Sequence, residues 1–313
     1  PIGGIGRRAR LKIAFLRECL FDSGMGHHNF LYLYFKYSIN CQSSSNNYNR
    51  AVKNNNSFNS SKKLVVKIGS SLLTNKKGGV NKSILKNVVS DIVWLLKKKK
   101  EVIVVSSGAI ALGRGQLNLK DDLTLNESQA VAARGQIELM TAWKNEFKKH
   151  KLQVAQILLS PSDAENKKSS KNAIATIENL ISFKCIPIIN ENDTTSTDEI
   201  KFGDNDILAS KISKLIQADH LILLSNVDGL YKEPPKNKKN DVLVSEIKSI
   251  TKSVRDMAGT ASKLGKGGMI SKIKAAEICM KSKCSVIITS GLKKDPIKSL
   301  ARKTTKSTRF ISK

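Results

Sequence analysis

The sequence predicts an α/β fold built on a mainly parallel sheet, and three observations carry that reading. Short runs rich in Val and Ile recur along the chain. Amphipathic stretches of helical spacing separate them, and Gly, Ser or Asn turns follow most of the runs. Strands that alternate with helices form βαβ units, whose parallel strands are buried on both faces and joined by right-handed crossovers.

Each element has a local reason. Residues 64–68 (LVVKI) form an apolar strand closed by Gly69-Ser70-Ser71. Residues 81–97 carry Ile84, Leu85, Val88, Val89, Ile92, Leu95 and Leu96 on one helical face. Residues 102–106 form a second buried strand ending in a Gly-containing turn, residues 126–149 a helix and residues 153–159 a strand. Helices at 171–182, 204–217 and 271–281 then alternate with strands at 185–189, 220–225 and 285–289. No internal repeat is visible.

Residues 1–62 differ from the rest and read as an N-terminal extension, unfolded, non-native or targeting, ahead of a folded domain at 63–313. The stretch 42–63 is rich in Asn and Ser and has little apolar surface to bury. Arg7, Arg8, Arg10, Lys12 and Arg17 suit a transit peptide, whereas Glu18 and Asp22 weaken that reading.

Composition excludes several classes. Of the 313 residues, 40% are hydrophobic, so the chain is not a wholly disordered polymer. No run of 18 apolar residues occurs, and the greasy stretch 29–40 is interrupted by Lys36, so no membrane span is expected. The net charge of +28 invites a nucleic-acid reading. The excess is Lys scattered along an Asn- and Ile-rich chain, however, with no aromatic-interleaved basic segment, and compositional bias accounts for it. The run at 97–100 reads as a solvated helix end. Five widely spaced Cys without CxxC suggest no disulfide framework, and the four His do not cluster with other ligands.

In sheets of this kind ligands bind at the carboxyl ends of strands, so the residues after each strand are the candidates. Lys67 is a charge near the end of an apolar strand. It reads either as a functional cation or as a Lys snorkelling from an edge strand. Gly69 permits close backbone approach to an anion. Ser106-Ser107-Gly108-Ala109 is equally an ordinary tight turn or an anion site at a helix N-terminus. The stretch from Asn190 through Glu191, Asp193, Glu199 and Asp204 to Asn205 and Asp206 crowds carboxylates and asparagines after a buried strand. Asp204 suits a helix cap, but capping leaves Asp193, Asn205 and Asp206 unexplained. That density suits a site that grips an amino acid's ammonium group and positions cations. Ser225-Asn226 leads into Val227-Asp228-Gly229, either a hairpin turn or the lining of a nucleotide pocket. Gly265-Lys266-Gly267-Gly268-Met269, followed by Lys272, reads as a polyphosphate loop or a mobile one, and it lacks P-loop spacing.

Together VVKIGSSLLT (65–74), VSSGAIALG (105–113), IPIINENDTTSTDEIKFGDNDILAS (186–210), LILLSNVDGLY (221–231) and GKGGMISKIKAAE (265–277) resemble the glutamate 5-kinases of the amino acid kinase family, in order and spacing. The resemblance implies a three-layer αβα sandwich that phosphorylates the side-chain carboxylate of L-glutamate with ATP and Mg²⁺, the first step of proline synthesis. It casts Lys67 and Lys272 as stabilisers of the transferring phosphoryl group and Asp206 as the residue that orients them. Ser107, Gly108, Asp193 and Asn205 would bind glutamate. Lys67, Gly69, Ser70, Ser225, Asn226, Lys266, Gly267, Gly268, Met269 and Lys272 would bind ATP. No protein-built metal site is implied. Further implications are a cytoplasmic homo-oligomer, feedback inhibition by proline, and hand-off of product to glutamate-5-semialdehyde dehydrogenase. Lys266 departs from the family's usual Thr, Asn226 from a frequent Asp, and Arg134 from a small apolar residue. The RNA-modification-type (PUA) domain that follows many bacterial kinases of this type is expected to be absent. Two other readings are a related kinase with a different acceptor and a non-catalytic basic RNA-binding protein.

Overall fold

The structure, a computed structural model, describes residues 57–75, 77–119, 122–160, 162–195, 205–233, 242–259 and 268–312. The candidates Lys266, Gly267, Glu199 and Asp204, and the extension up to residue 56, lie outside the described residues. In chain order the elements are a 3-10 turn (Phe58–Ser60), β1 (Lys63–Ile68), α1 (Ser70–Leu73), α2 (Lys82–Lys97) and β2 (Glu101–Ser106). Then come α3 (Ala109–Leu117), α4 (Leu125–Lys148), β3 (Gln153–Leu159), α5 (Lys167–Ser182), β4 (Cys185–Glu191), a 3-10 turn (Asp193–Thr195), α6 (Asn205–Leu215) and β5 (His220–Ser225). The last are β6 (Glu246–Ile247), α7 (Lys252–Asp256), α8 (Met269–Met280), β7 (Ser285–Ser290), α9 (Pro296–Ala301) and β8 (Ser307–Phe310).

The described strands form one eight-stranded sheet in the order β3-β4-β2-β1-β5-β7-β8-β6. Every neighbouring pair is parallel except β7–β8. β1 therefore lies in the interior of the sheet, and the snorkelling edge-strand account of Lys67 does not apply. Successive side chains on a strand point to opposite faces. Leu64, Val66 and Ile68 enter one core with α2 and α4, while Val65 enters the other with α6 and α8. Lys67 shares the parity of Val65, so the alternation that builds the two cores also aims it at α6 and α8. The expected three-layer αβα arrangement is what forms.

Helix starts follow their caps. Asn81 Oδ1 accepts from the Ile84 N–H, and Asn166 Oδ1 accepts from Lys168 and Ser169. The Asn166 cap starts α5 at Lys167 rather than at 171 as expected. A capping box between Thr124 and Glu127 starts α4. The folded part also begins before residue 63. Phe58 is only 3% exposed, and Ser61 Oγ lies 2.7 Å from His220 Nδ1. Lys100, expected on a solvated helix end, is instead buried and donates to the Asn59 and Ser61 carbonyls. β6, β8, α7 and α9 were not expected. They are short, and β8 alternates half-buried with buried positions, so no continuous apolar run marks it. No described helix is long and apolar enough to cross a membrane.

Candidate active site

The carboxyl ends of the parallel strands β1, β2, β4 and β5 lie at one end of the sheet, where the strand order reverses: β1 leads to β2 on one side, and the chain returns from β4 to β5 on the other. β1 delivers Lys67. The first turn of α6 delivers Asn205 and Asp206, and the first turn of α8 delivers Ser271 and Lys272. The result is a buried cluster of charges. Lys67 Nζ lies 2.6 Å from Asp206 Oδ1, and Lys272 Nζ lies 3.0 Å from Asp206 Oδ2. Ser271 Oγ donates to the same Oδ2 at 2.8 Å. Asp206 is fully buried, and both lysines are more than nine-tenths buried.

Burial by itself drives the Asp206 carboxyl upward. The fields and hydrogen bonds of Lys67 and Lys272 outweigh that push and bring it down to about 2. The carboxylate is thus ionised at any ordinary pH, with one ammonium on each oxygen. A pair of cations fixed on one anion leaves net positive charge in a cleft, which suits a polyanion. Buried charges of this kind are poor evidence of a purely stabilising role, since apolar residues do that as well.

A chain of amides runs beside this cluster. Asn205 Nδ2 donates to Ser107 Oγ at 2.8 Å and to Asn190 Oδ1 at 3.1 Å, and Asn190 Nδ2 donates to Gln136 Oε1 at 2.8 Å. Ser107 precedes Gly108, whose φ of 118° is a conformation that side-chain-bearing residues rarely adopt. That glycine lets β2 turn directly into α3. Asp193 follows β4 and is 8% exposed. Burial, reinforced by the charge of Glu191, pushes its carboxyl up to about 7.

One cavity borders the charge cluster and another borders the far end of the amide chain. The first, of about 210 Å³, is lined by Ser225, Asn226, Gly268, Met269 and Lys272, with Tyr231. An added Cβ on Gly268 would meet nothing within 4 Å, so the backbone there borders open space. The loop after β5 is not a hairpin turn, because the strand that neighbours β5 on that side is the parallel β7. The second cavity, about 280 Å³, is lined by Gln136, Glu191 and Asp193 together with Ala132 and Ala133 of α4. Gly69 sits against Lys67, an ideal Cβ there lying 3.7 Å from its Nζ.

The fold therefore brings together Lys67, Asp206 and Lys272. It joins Ser107 and Asn205, and it groups Ser225, Asn226, Gly268, Met269 and Lys272. Asp193 faces the second cavity. The sequence reading missed Ser271 and Gln136 as site members, and it took in Asn190 only as the start of the polar stretch. Ser271 beside Lys272 and Asn190 at the strand end were readable from position. Gln136 was not, because α4 is remote in sequence from every motif. Among the described residues no group of three or more His, Cys, Asp or Glu is arranged to hold a metal ion.

Comparison with known proteins gives concordant results. The family model described as the amino acid kinase family matches residues 62–290. The chain is 47% identical over 211 residues to the glutamate 5-kinase of Pelagibacter ubique, covering 67% of this chain and 57% of that protein. It is 42% identical over 222 residues to the glutamate 5-kinase of Paramagnetospirillum magneticum, covering 71% and 60%. The chain thus spans less than two thirds of the length of these curated relatives. Among solved structures, UMP kinase from Ureaplasma parvum superimposes with a TM-score of 0.55 at 15% identity, over 80% of this chain and 99% of that one. Carbamate kinase from Giardia lamblia bound to AMP-PNP gives 0.54 at 18% identity, over 82% and 100%. At those identities the likeness is one of fold.

Proposed function

The chain belongs to the amino acid kinase family, and on that premise we propose that it phosphorylates the side-chain carboxylate of L-glutamate with ATP, the glutamate 5-kinase reaction. The observation that carries the proposal is the placement of two lysine ammonium groups on opposite oxygens of the buried Asp206. The similarity to glutamate 5-kinases supports the choice of acceptor.

The chemistry asks for that arrangement. A glutamate side chain with an ordinary pKa near 4.3 is already ionised at neutral pH and needs no general base. One carboxylate oxygen attacks the terminal phosphorus, the bond from phosphorus to the bridging oxygen breaks, and ADP leaves. The obstacle is bringing an anion in line against a polyanion, so positioning and charge neutralisation supply most of the rate. In this reading Lys67 and Lys272 hold the transferring phosphoryl oxygens, and Asp206 fixes the spacing of the two cations. Ser225, Asn226, Gly268 and Met269 bound the nucleotide, with Lys266 and Gly267 completing the loop and Gly69 and Ser70 on the phosphate side. Ser107, Gly108, Asn205 and Asp193 receive glutamate. Mg²⁺ enters with the nucleotide and adds to the charge neutralisation.

A homo-oligomer, inhibition by proline, a role in proline synthesis with hand-off to glutamate-5-semialdehyde dehydrogenase, and a cytoplasmic setting belong to the same proposal. Unpaired Cys185, Cys279 and Cys284 suit a reducing compartment. The test is to incubate the protein with ATP, hydroxylamine and candidate acids and to trap the acyl phosphate as hydroxamate. Glutamate-dependent hydroxamate is expected. Product only with aspartate or acetylglutamate overturns the acceptor, and steeply salt-dependent RNA binding without phosphoryl transfer overturns the enzyme.

A further inference from the structure

Resting on the glutamate reading, we infer that Gln136 of α4 donates a hydrogen bond to the acceptor's α-carboxylate and so selects a free α-amino acid. α4 reaches the site because it crosses α3 in near contact. An added Cβ on Gly135 would lie 1.8 Å from the Ala109 carbonyl oxygen, and one on Gly113 would lie 2.0 Å from that of Val131. Ala109 opens α3 directly after Ser107 and Gly108, so the crossing sets the next residue of α4 beside the ends of β2 and β4.

The amide chain then decides what Gln136 offers. Both Nδ2 hydrogens of Asn205 are committed, one to Ser107 Oγ and one to Asn190 Oδ1. Asn190 can only donate onward, and Gln136 Oε1 accepts that bond at 2.8 Å. What remains is Gln136 Nε2, a buried donor with no protein partner. A buried donor left unmade is costly, and such groups in folded proteins ordinarily have a partner. Gln136 also lines the 280 Å³ cavity, together with Glu191 and Asp193.

The lining of that cavity matches a zwitterion. Its carboxylates attract an ammonium group, and the amide N–H takes the carboxylate that an α-amino acid carries one carbon away. A lysine or arginine in place of Gln136 would pair with Asp193 instead, whereas a neutral amide leaves Asp193 to the ammonium.

The experiment compares two acceptors, L-glutamate and glutamate α-amide, which keeps the side-chain carboxylate and replaces the α-carboxylate. Each is assayed by hydroxamate formation with the wild-type chain and with Gln136→Ala and Gln136→Glu. The Glu variant keeps the oxygen that accepts from Asn190 and keeps the side-chain size, but it presents an oxygen where the donor was. A structural role makes Glu the milder change for both acceptors. The inferred role makes it the harsher one for glutamate only. Expected with glutamate is a KM raised about tenfold in Gln136→Ala and about a hundredfold in Gln136→Glu, with kcat and the KM for ATP within about threefold. Expected with the α-amide is a change of less than about threefold for Gln136→Glu. If the wild type works on glutamate but the variants lose both acceptors equally, or Glu is milder than Ala on glutamate, the role of Gln136 is overturned alone. If the wild type makes no glutamate-dependent hydroxamate, the glutamate reading falls and this inference with it.

Discussion

Lys67 and Lys272, from a strand near the start of the fold and a helix near its end, hold opposite oxygens of the Asp206 carboxylate at 2.6 and 3.0 Å. Neither lysine needs the other for its place in the backbone, yet the two ammonium groups share one anchor. Removing that anchor strands the buried Lys67 ammonium and takes a carboxylate from Lys272 as well, which is worse than removing either cation. Asp206→Asn is expected to lower stability by about 3–5 kcal/mol, read by urea unfolding, because breaking a buried pair strands the partner charge. Lys272→Ala leaves Asp206 with Lys67 and is expected to cost less than Asp206→Asn.

Gly135 offers a packing test independent of chemistry. A Cβ there would fall 1.8 Å from the Ala109 carbonyl oxygen and 2.5 Å from the Gly113 nitrogen, both backbone atoms that cannot swing aside. Gly135→Ala is expected to destabilise by at least about 2 kcal/mol, since α3 and α4 must part to admit the methyl. Urea unfolding that shifts by less than about 0.5 kcal/mol would contradict the close crossing.

Asp193 and His220 oppose one another in the dependence of stability on pH. Asp193 is raised to about 7 by burial and by Glu191. The folded state therefore keeps a proton that the unfolded chain has lost above its ordinary pKa near 4, and stability falls as pH rises from about 4 to 7. His220 is lowered to about 4 by burial, with the charges of Arg309 and Lys100 adding to the shift and Asp219 opposing it. The unfolded chain takes up the proton first, so this contribution is intact above about 6.5 and is lost as pH falls toward 4. His220→Gln should leave a stability that declines with rising pH, and Asp193→Asn one that climbs more steeply than in the wild type. Urea midpoints measured between pH 4 and 7 decide it.

Asp193 also predicts a pH dependence of activity. If its carboxylate receives the acceptor's ammonium, kcat/KM for glutamate should rise as pH passes through about 7 in the free protein and then level off. Asp193→Asn should lower kcat/KM at pH 8 by about a hundredfold and flatten the rise. A rise that persists unchanged in the variant assigns it to another group.

Much of this was legible in the sequence, for identifiable reasons. Buried parallel strands read as continuous apolar runs, so β1, β2, β4, β5 and β7 stood out from their residues alone. Lys67 was conspicuous because a charge interrupts such a run. Asp206 and Lys272 were visible through the density of polar residues and glycines around them. The short β6 and β8 were not legible, because β6 has only two residues and β8 is an amphipathic strand of four. Phe58 and Ser61 escaped notice, and Lys100 read as solvated, because their burial depends on His220 and Asn59, which only the folded chain brings near them. Gln136 was hidden for the same reason. A helix residue with no motif around it acquires meaning from a crossing that depends on two glycines.

Single-turnover phosphoryl transfer from ATP to glutamate in Lys272→Ala and Asp206→Asn tests most directly whether the two cations and their shared carboxylate act as one device on the transferring phosphoryl group. Each substitution is expected to slow transfer by about 10²–10⁴-fold, with the double variant little slower than the worse single one, in protein that still binds nucleotide. Transfer within about tenfold of the wild-type rate in both variants would contradict it.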